Sequence, residues 1–115
     1  MLVGKVIKGN GLGKGFGFPT ANLDIEDFDY EERQGVYASY AYLEGKKFKT
    51  AIAILFDPNK FEVHFLDFES DKNFYGESIE VELVEKVSKI GEFDSKEKLI
   101  TKIVNDIEKI REILK

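Results

Sequence analysis

Three oxygen-bearing side chains and a run of glycines carry the chemistry on offer. Glycines at positions 9, 11, 13, 15 and 17 alternate through GNGLGKGFGFPTANL, Gly9 to Leu23, and lead into Pro19, Thr20, Ala21 and Asn22. Glycine supplies no side chain to a core and costs backbone entropy on ordering, so this run belongs where the main chain must turn or approach something closely. The first 23 residues carry Lys5, Lys8 and Lys14 with no Asp or Glu, whereas Asp24 to Glu32 holds six acids. Exposed N–H groups in a glycine-rich turn, with lysine charge beside them, suit phosphate oxygens. Gly9, Gly11, Gly13, Lys14 and Gly15 are therefore candidates for binding an oligophosphate. Neither Gly-x-Gly-x-x-Gly nor Gly-x-x-x-x-Gly-Lys-Ser/Thr can be laid on these glycines, which disfavours a dinucleotide fold and a Walker-type NTPase. Thr20 and Asn22 lie two apart, so in an extended segment both fall on one face. There a hydroxyl and an amide carbonyl could help hold Mg²⁺ beside phosphates. The alternative is a loop followed by a short strand whose Thr and Asn merely satisfy a turn.

A second constellation lies in FEVHFLDF, Phe61 to Phe68. Glu62 and His64 share one strand face with Leu66 and Phe68, and Phe61, Val63 and Phe65 take the other. A carboxylate on a largely apolar face is costly to bury without a partner, which makes Glu62 a candidate general base. The competing reading is a solvated Glu at the strand's exposed end, paired with a lysine. His64 reads as structural, a lone histidine with a hydrogen-bond partner.

These residues need a scaffold, and the rest of the chain describes one. At 115 residues and 43% hydrophobic content, the chain suits one globular domain, residues 1–115, with a single core. The absence of cysteine excludes disulfides and thiolate metal sites, and one histidine excludes a multi-histidine zinc site. A net charge of −5, with Lys and Glu mixed beyond the first segment, argues against nucleic acid or an anionic membrane as partner. No run is long and apolar enough for a membrane span, and no secretory leader precedes the first strand, so a cytoplasmic protein is expected. Strands are predicted at Leu2 to Lys8, Gly35 to Leu43, Lys46 to Leu55, Phe61 to Phe68 and Ser78 to Val87, with turns at Glu44-Gly45 and Asp57-Pro58-Asn59. After Phe93 the period changes. Ile100, Ile103, Val104, Ile107, Ile110 and Leu114 predict one helical stripe, Asp94 and Glu97 are spaced like a capping box, and Lys109, Arg111 and Lys115 lie near the negative end of the dipole. Five or six short strands and a terminal helix predict a mostly β protein, a small closed antiparallel barrel.

Taken together, these segments resemble the riboflavin kinases of the ATP-using type, which occur alone or as the second module of bifunctional FAD synthetases. GKVIKGNGLGKGFGFPTANL resembles the family's glycine-rich opening and Pro-Thr-Ala-Asn signature, and Gly35-Val36-Tyr37 its next short motif. FEVHFLDF resembles its Glu-x-His strand, and Phe74-Tyr75-Gly76 and Phe93-Asp94-Ser95 its later landmarks, in the same order. The resemblance implies a six-stranded antiparallel Greek-key barrel with a C-terminal α-helix. It implies that Thr20 and Asn22 position Mg²⁺ (with Zn²⁺ or Mn²⁺ as alternatives) and the nucleotide phosphates, that the Gly9 to Gly17 loop covers ATP, and that Glu62 acts on the riboflavin 5′-hydroxyl to give FMN and ADP. The flavin ring would lie near the Lys86 to Glu92 loop and the helix start, with Lys86, Ser88, Lys89 and Phe93 as candidate contacts and Phe74 or Tyr75 as lining. Substrates are then riboflavin and ATP, no nucleic acid or membrane partner is implied, and a monomer is expected.

Two departures stand out. The family usually has an Asn-Ile-Gly stretch, a Pro-Thr and a longer loop before the Glu-x-His strand; this chain has Ala53-Ile54-Leu55 and a short turn through Pro58. The family commonly has an arginine five residues before Phe-Asp-Ser; here that residue is Ser88, with Lys86 and Lys89 as nearby cations that lack arginine's planar fork. Two other readings therefore stay open: a non-catalytic flavin- or nucleotide-binding relative with the same barrel, and a barrel interaction domain without a small ligand. With no adenylyltransferase module before Met1, FAD synthesis by this chain is not expected.

Overall fold

Strand patterning explains most of the architecture. The computed structural model describes residues 1–7, 20–67, 76–91 and 94–115. The elements are β1 (Leu2–Ile7), β2 (Thr20–Asp24), β3 (Gly35–Leu43), β4 (Lys46–Leu55), β5 (Lys60–Phe65), β6 (Ser78–Ser88) and the helix α1 (Lys96–Ile113). The strands close into an antiparallel barrel in the order β1-β2-β5-β4-β3-β6, the fold class expected from the strand and helix count. Closure gives each of the six strands two neighbours, which removes the long free edge of an open sheet.

Each strand buries its alternate residues. Val6, Leu23, Ala41, Ile52, Ile54, Phe61, Val63, Phe65, Ile79 and Val81 fill the barrel, joined by Ile25 and Tyr30 from the β2–β3 connection. Among the described residues one polar pair, Ser39 and Thr50, lies inside and is self-satisfied: the two hydroxyls lie 2.7 Å apart and Ser39 Oγ also donates to the Thr50 carbonyl. Gly4 is required by close packing, since a Cβ there would lie 2.9 Å from Leu23 Cβ. The β3–β4 hairpin turns through Glu44 (φ 52°) and Gly45 (φ 78°), the two positive φ values that a two-residue turn needs to match strand twist.

The helix lies against the outer wall of the barrel. Ile110 and Leu114 pack on Ala38, Ala51 and Leu66, with Val36, Tyr40, Val87, Ile107 and Ile113 around them. Alanines paired across β3 and β4 let the helix approach closely. Its lower end is fastened by Arg111, whose guanidinium donates to Asp67 Oδ1 (2.7 Å) and to the Leu66 carbonyl (3.2 Å).

Four expectations are corrected. The helix stripe does not run through Ile100 and Val104, which are 40% and 49% exposed. The buried line instead passes through Asp106, Ile110 and Leu114, because the helix is rotated to seat the Asp106 carboxylate against β6. The helix cap is Ser95, whose hydroxyl accepts from the Lys98 N–H, while Asp94 pairs with the Lys98 side chain at 3.0 Å. The strand carrying Glu62 ends at Phe65, where Leu66 leaves the ladder to join the helix contact. In β6 Val84 is exposed as its place in the alternation requires, and the register shift opposite Ala38 and Ser39 leaves Glu85, which shares the phase of Ile79, Val81 and Leu83, exposed as well.

Candidate active site

Glu62 and His64 point outward because their neighbours Phe61, Val63 and Phe65 point into the core. Thr20 and Asn22 point outward for the same reason, between the buried Ala21 and Leu23. The register between β2 and β5 then decides what meets: Thr20 lies opposite His64, and Asn22 opposite Glu62. Two segments forty residues apart in the chain thus form one outer patch. On its far side β4 sets Ala51 beside His64 and Ala53 beside Glu62. On its near side Asn22 pairs with Ile7, so the connection between Ile7 and Thr20 leaves and re-enters the barrel at the patch.

Thr20 Oγ1 lies 3.0 Å from His64 Nδ1. The other ring nitrogen, Nε2, faces Glu62 Oε2 at 3.7 Å, longer than a hydrogen bond. Both side chains are largely covered, with 20% of His64 and 13% of Glu62 exposed. Burial raises the Glu62 pKa above the ordinary carboxylate range, and the nearby Lys60 charge pulls it partly back. Burial also lowers the His64 pKa to about 4, which keeps its ring neutral at physiological pH. The cross-strand neighbour of Glu62 on β4, Ala53, offers it no polar partner.

The same row of paired residues continues around the barrel. From Glu62 it passes to Ala53, then Val36, then Ser88 on β6. Three strand spacings separate Glu62 from Ser88, about 14 Å along the wall. Ser88 is no longer a free hydroxyl there. It donates to Asp106 Oδ2 at 2.9 Å and accepts from Lys102 Nζ at 2.8 Å, and the lysine also pairs with Asp106. Lys86 is exposed and lays its stem over Gly35 (φ 150°), where an added Cβ would come 2.4 Å from Lys86 Cε. Lys89 is exposed as well. Gly9, Gly11, Gly13, Lys14, Gly15, Phe74, Tyr75 and Phe93 lie outside the described residues.

A model of the family described as "Flavokinase: Riboflavin kinase" matches residues 1–114. The chain belongs to the riboflavin kinase family. It is 36% identical over 119 residues to the bifunctional riboflavin kinase/FMN adenylyltransferase of Buchnera aphidicola, covering 96% of this chain and 37% of that one. It is 32% identical over 123 residues to the riboflavin kinase of Mus musculus, covering 96% of this chain and 78% of the relative. Among solved structures, the riboflavin kinase of Trypanosoma brucei superposes with a TM-score of 0.72 at 25% identity, over 98% of this chain and 75% of that one. The chain thus spans little more than a third of the bifunctional relative's length.

At Ser88, where the resemblance leads to the expectation of an arginine, the cation in contact is Lys102, from the helix. The sequence contained a signal for it. Lys102 and Asp106 sit one helical turn apart, flanked by the half-buried Ile103 and Ile107, where two charges on a partly covered face call for a mutual partner.

Proposed function

We propose that this chain is a riboflavin kinase that transfers the γ-phosphoryl group of ATP to the 5′-hydroxyl of riboflavin, giving FMN and ADP. The observation that carries the proposal is the β2–β5 register, which sets Asn22 directly across from Glu62 and Thr20 across from His64. Phosphoryl transfer asks the protein for positioning and charge neutralisation more than for covalent chemistry. An alcohol nucleophile also needs a base within reach, and Glu62 is a half-enclosed carboxylate whose raised pKa brings it nearer the proton it must accept.

In this reading Glu62 takes the proton of the 5′-hydroxyl as the oxygen bonds to the γ-phosphorus. The bond from that phosphorus to the bridging oxygen breaks, and ADP leaves with the electron pair. Thr20 and Asn22 supply neutral oxygen ligands beside the base. Among the described residues no group of three or more His, Cys, Asp or Glu side chains is placed to hold a metal. A hydroxyl and an amide with a single nearby carboxylate fit Mg²⁺, a hard ion that takes oxygen ligands and is held largely by substrate phosphates and water. When bound, the ion neutralises charge on the phosphates. In this reading the flavin ring would lie on the wall beside Ala53, toward the edge of the helix contact that begins at Val36, with its sugar chain directed at Glu62. Lys86, Lys89 and the Phe93 segment would border the ring, and Gly9, Gly11, Gly13, Lys14 and Gly15 would cover the phosphates. The domain would comprise residues 1–115 and act as a monomer. No helix among the described residues is long and apolar enough to cross a membrane.

The test is direct. Protein mixed with riboflavin, Mg²⁺ and ATP, or CTP in its place, should yield FMN on a chromatogram. Retained flavin without product would favour the non-catalytic relative, and neither product nor binding would overturn the proposal.

A further inference from the structure

His64 lies between the two groups to which the kinase reading assigns the chemistry, and its two ring nitrogens face them separately. We propose that His64 is a positioning residue that holds Thr20 and Glu62 at once, fixed as the tautomer with its proton on Nε2. The inference rests on the kinase reading of those two residues, and its ground is the hydrogen-bond arithmetic of the ring.

A neutral imidazole has one N–H and one bare nitrogen. Suppose the proton were on Nδ1. It would then donate into Thr20 Oγ1 at 3.0 Å, and the bare Nε2 would confront the Glu62 carboxylate at 3.7 Å, lone pair against lone pair. With the proton on Nε2 both contacts become favourable. The Thr20 hydroxyl donates to Nδ1, and an N–H points at the carboxylate. Closure by about half an ångström would turn that second contact into a hydrogen bond, as often happens when substrate seats.

This tautomer has a consequence for each neighbour. It sends the Thr20 proton inward to the ring, so that Oγ1 meets its remaining neighbours as an acceptor, the state in which a hydroxyl can face a cation. It also gives Glu62 a fixed donor on one flank, which restricts the carboxylate's rotation and leaves its second oxygen for the substrate proton. Partners of this kind, one step removed from the ligands themselves, commonly change metal affinity or activity by about 10–100-fold when lost. Ala51 on the far side of the ring offers only a methyl group, so Thr20 and Glu62 are the polar neighbours that the strand register sets beside His64.

One histidine in the chain makes the test clean. Ligand-free protein labelled with ¹⁵N-histidine should show, by NMR at neutral pH, a protonated Nε2 and a bare Nδ1. Glu62→Gln, whose amide can meet either a bare or a protonated Nε2, should convert this to a mixture of tautomers, whereas Thr20→Val should leave Nε2 protonated. A protonated Nδ1, a doubly protonated ring or a mixture in the wild type would overturn the inference. The kinetic arm uses two variants that each keep one half of the ring's function. His64→Asn keeps an acceptor near Nδ1, so its Mg²⁺ requirement should stay within about threefold of wild type while kcat falls by about 10–100-fold. His64→Gln keeps a donor near Nε2, so its Mg²⁺-nucleotide requirement should rise by about 10–100-fold with a smaller loss of kcat. Equal losses of kcat in both, at unchanged Mg²⁺ requirement, would reduce His64 to packing. Because the tautomer is read without substrate, it separates this inference from the kinase reading: a wild-type chain that makes no FMN overturns the latter, and an Nδ1–H ring overturns the former.

Discussion

Removing the proton-binding ring at position 64 should flatten the acid dependence of stability. Burial lowers the His64 pKa from 6.5 to about 4. Above pH 6.5 the ring is neutral in both folded and unfolded chains and contributes no slope. Between 6.5 and about 4 the unfolded chain binds a proton that the folded chain refuses, so stability falls as pH falls. Below that window both forms are protonated and the loss is complete. At about 1.4 kcal/mol per unit, the displacement amounts to a loss of about 3 kcal/mol. Glu62 works in the opposite sense. Its raised folded pKa gives stability that is present below the unfolded value of 4.5 and is lost as pH rises through the folded pKa. The wild-type curve therefore sums two opposed slopes, and the informative quantity is the difference between wild type and His64→Gln. Urea unfolding followed by tyrosine fluorescence, available because the chain has five tyrosines and no tryptophan, measures it at pH 7, 6, 5 and 4. The variant should start lower at pH 7, by about 1 kcal/mol for a lost hydrogen bond, and draw level with or pass the wild type by pH 4. Parallel curves from pH 6.5 to 4 would refute the claim that the folded ring resists protonation.

Three further outcomes follow from the site and its support. Glu62→Gln should lower turnover by about 10²–10⁴-fold with little change in riboflavin affinity, and should remove an acid limb of kcat/KM lying above the ordinary carboxylate pKa; near-normal turnover removes Glu62 from the base role. Thr20→Ala should weaken Mg²⁺-nucleotide binding, read as a raised Mg²⁺ requirement in FMN formation, and an unchanged requirement removes Thr20 from the metal. Lys102→Met leaves the buried Asp106 carboxylate with only the Ser88 hydroxyl and should cost about 3 kcal/mol in urea, whereas Lys98→Met, which breaks the exposed pair with Asp94, should cost under about 1 kcal/mol; equal costs would mean that the helix is not pinned at Ser88.

The barrel was legible because its strands alternate cleanly. Phe61, Val63 and Phe65 against Glu62 and His64 leave a single way to orient β5, and a one-residue slip would bury both polar side chains. The facing of Glu62 and Asn22 was not legible, because register between strands forty residues apart is decided by turns and core fit rather than by local pattern. The helix misled for a related reason. Ile100 and Val104 have the spacing of a core stripe, but the face that meets the barrel is the one carrying Ile107, Ile110 and Leu114 together with Asp106, and it leaves both at the surface. The hydrogen-bond partner expected of His64 is Thr20, whose identity depends on the β2–β5 register and so is not readable from the local sequence.

The row that runs from Ile7 through Asn22, Glu62, Ala53 and Val36 to Ser88 is spaced by the backbone ladder, which every sequence forms alike. It works as a ruler whose divisions do not depend on side chains. The turn between Leu55 and Lys60 sets which β4 residue stands beside Glu62, and a change in its length would move that mark by whole ladder steps. The pairing of Asn22 with Glu62 belongs to the β2–β5 ladder, which this turn does not join. Loop length at the β4–β5 hairpin is thus a variable that can exchange the apolar neighbour of Glu62 separately from the spacing between Asn22 and Glu62.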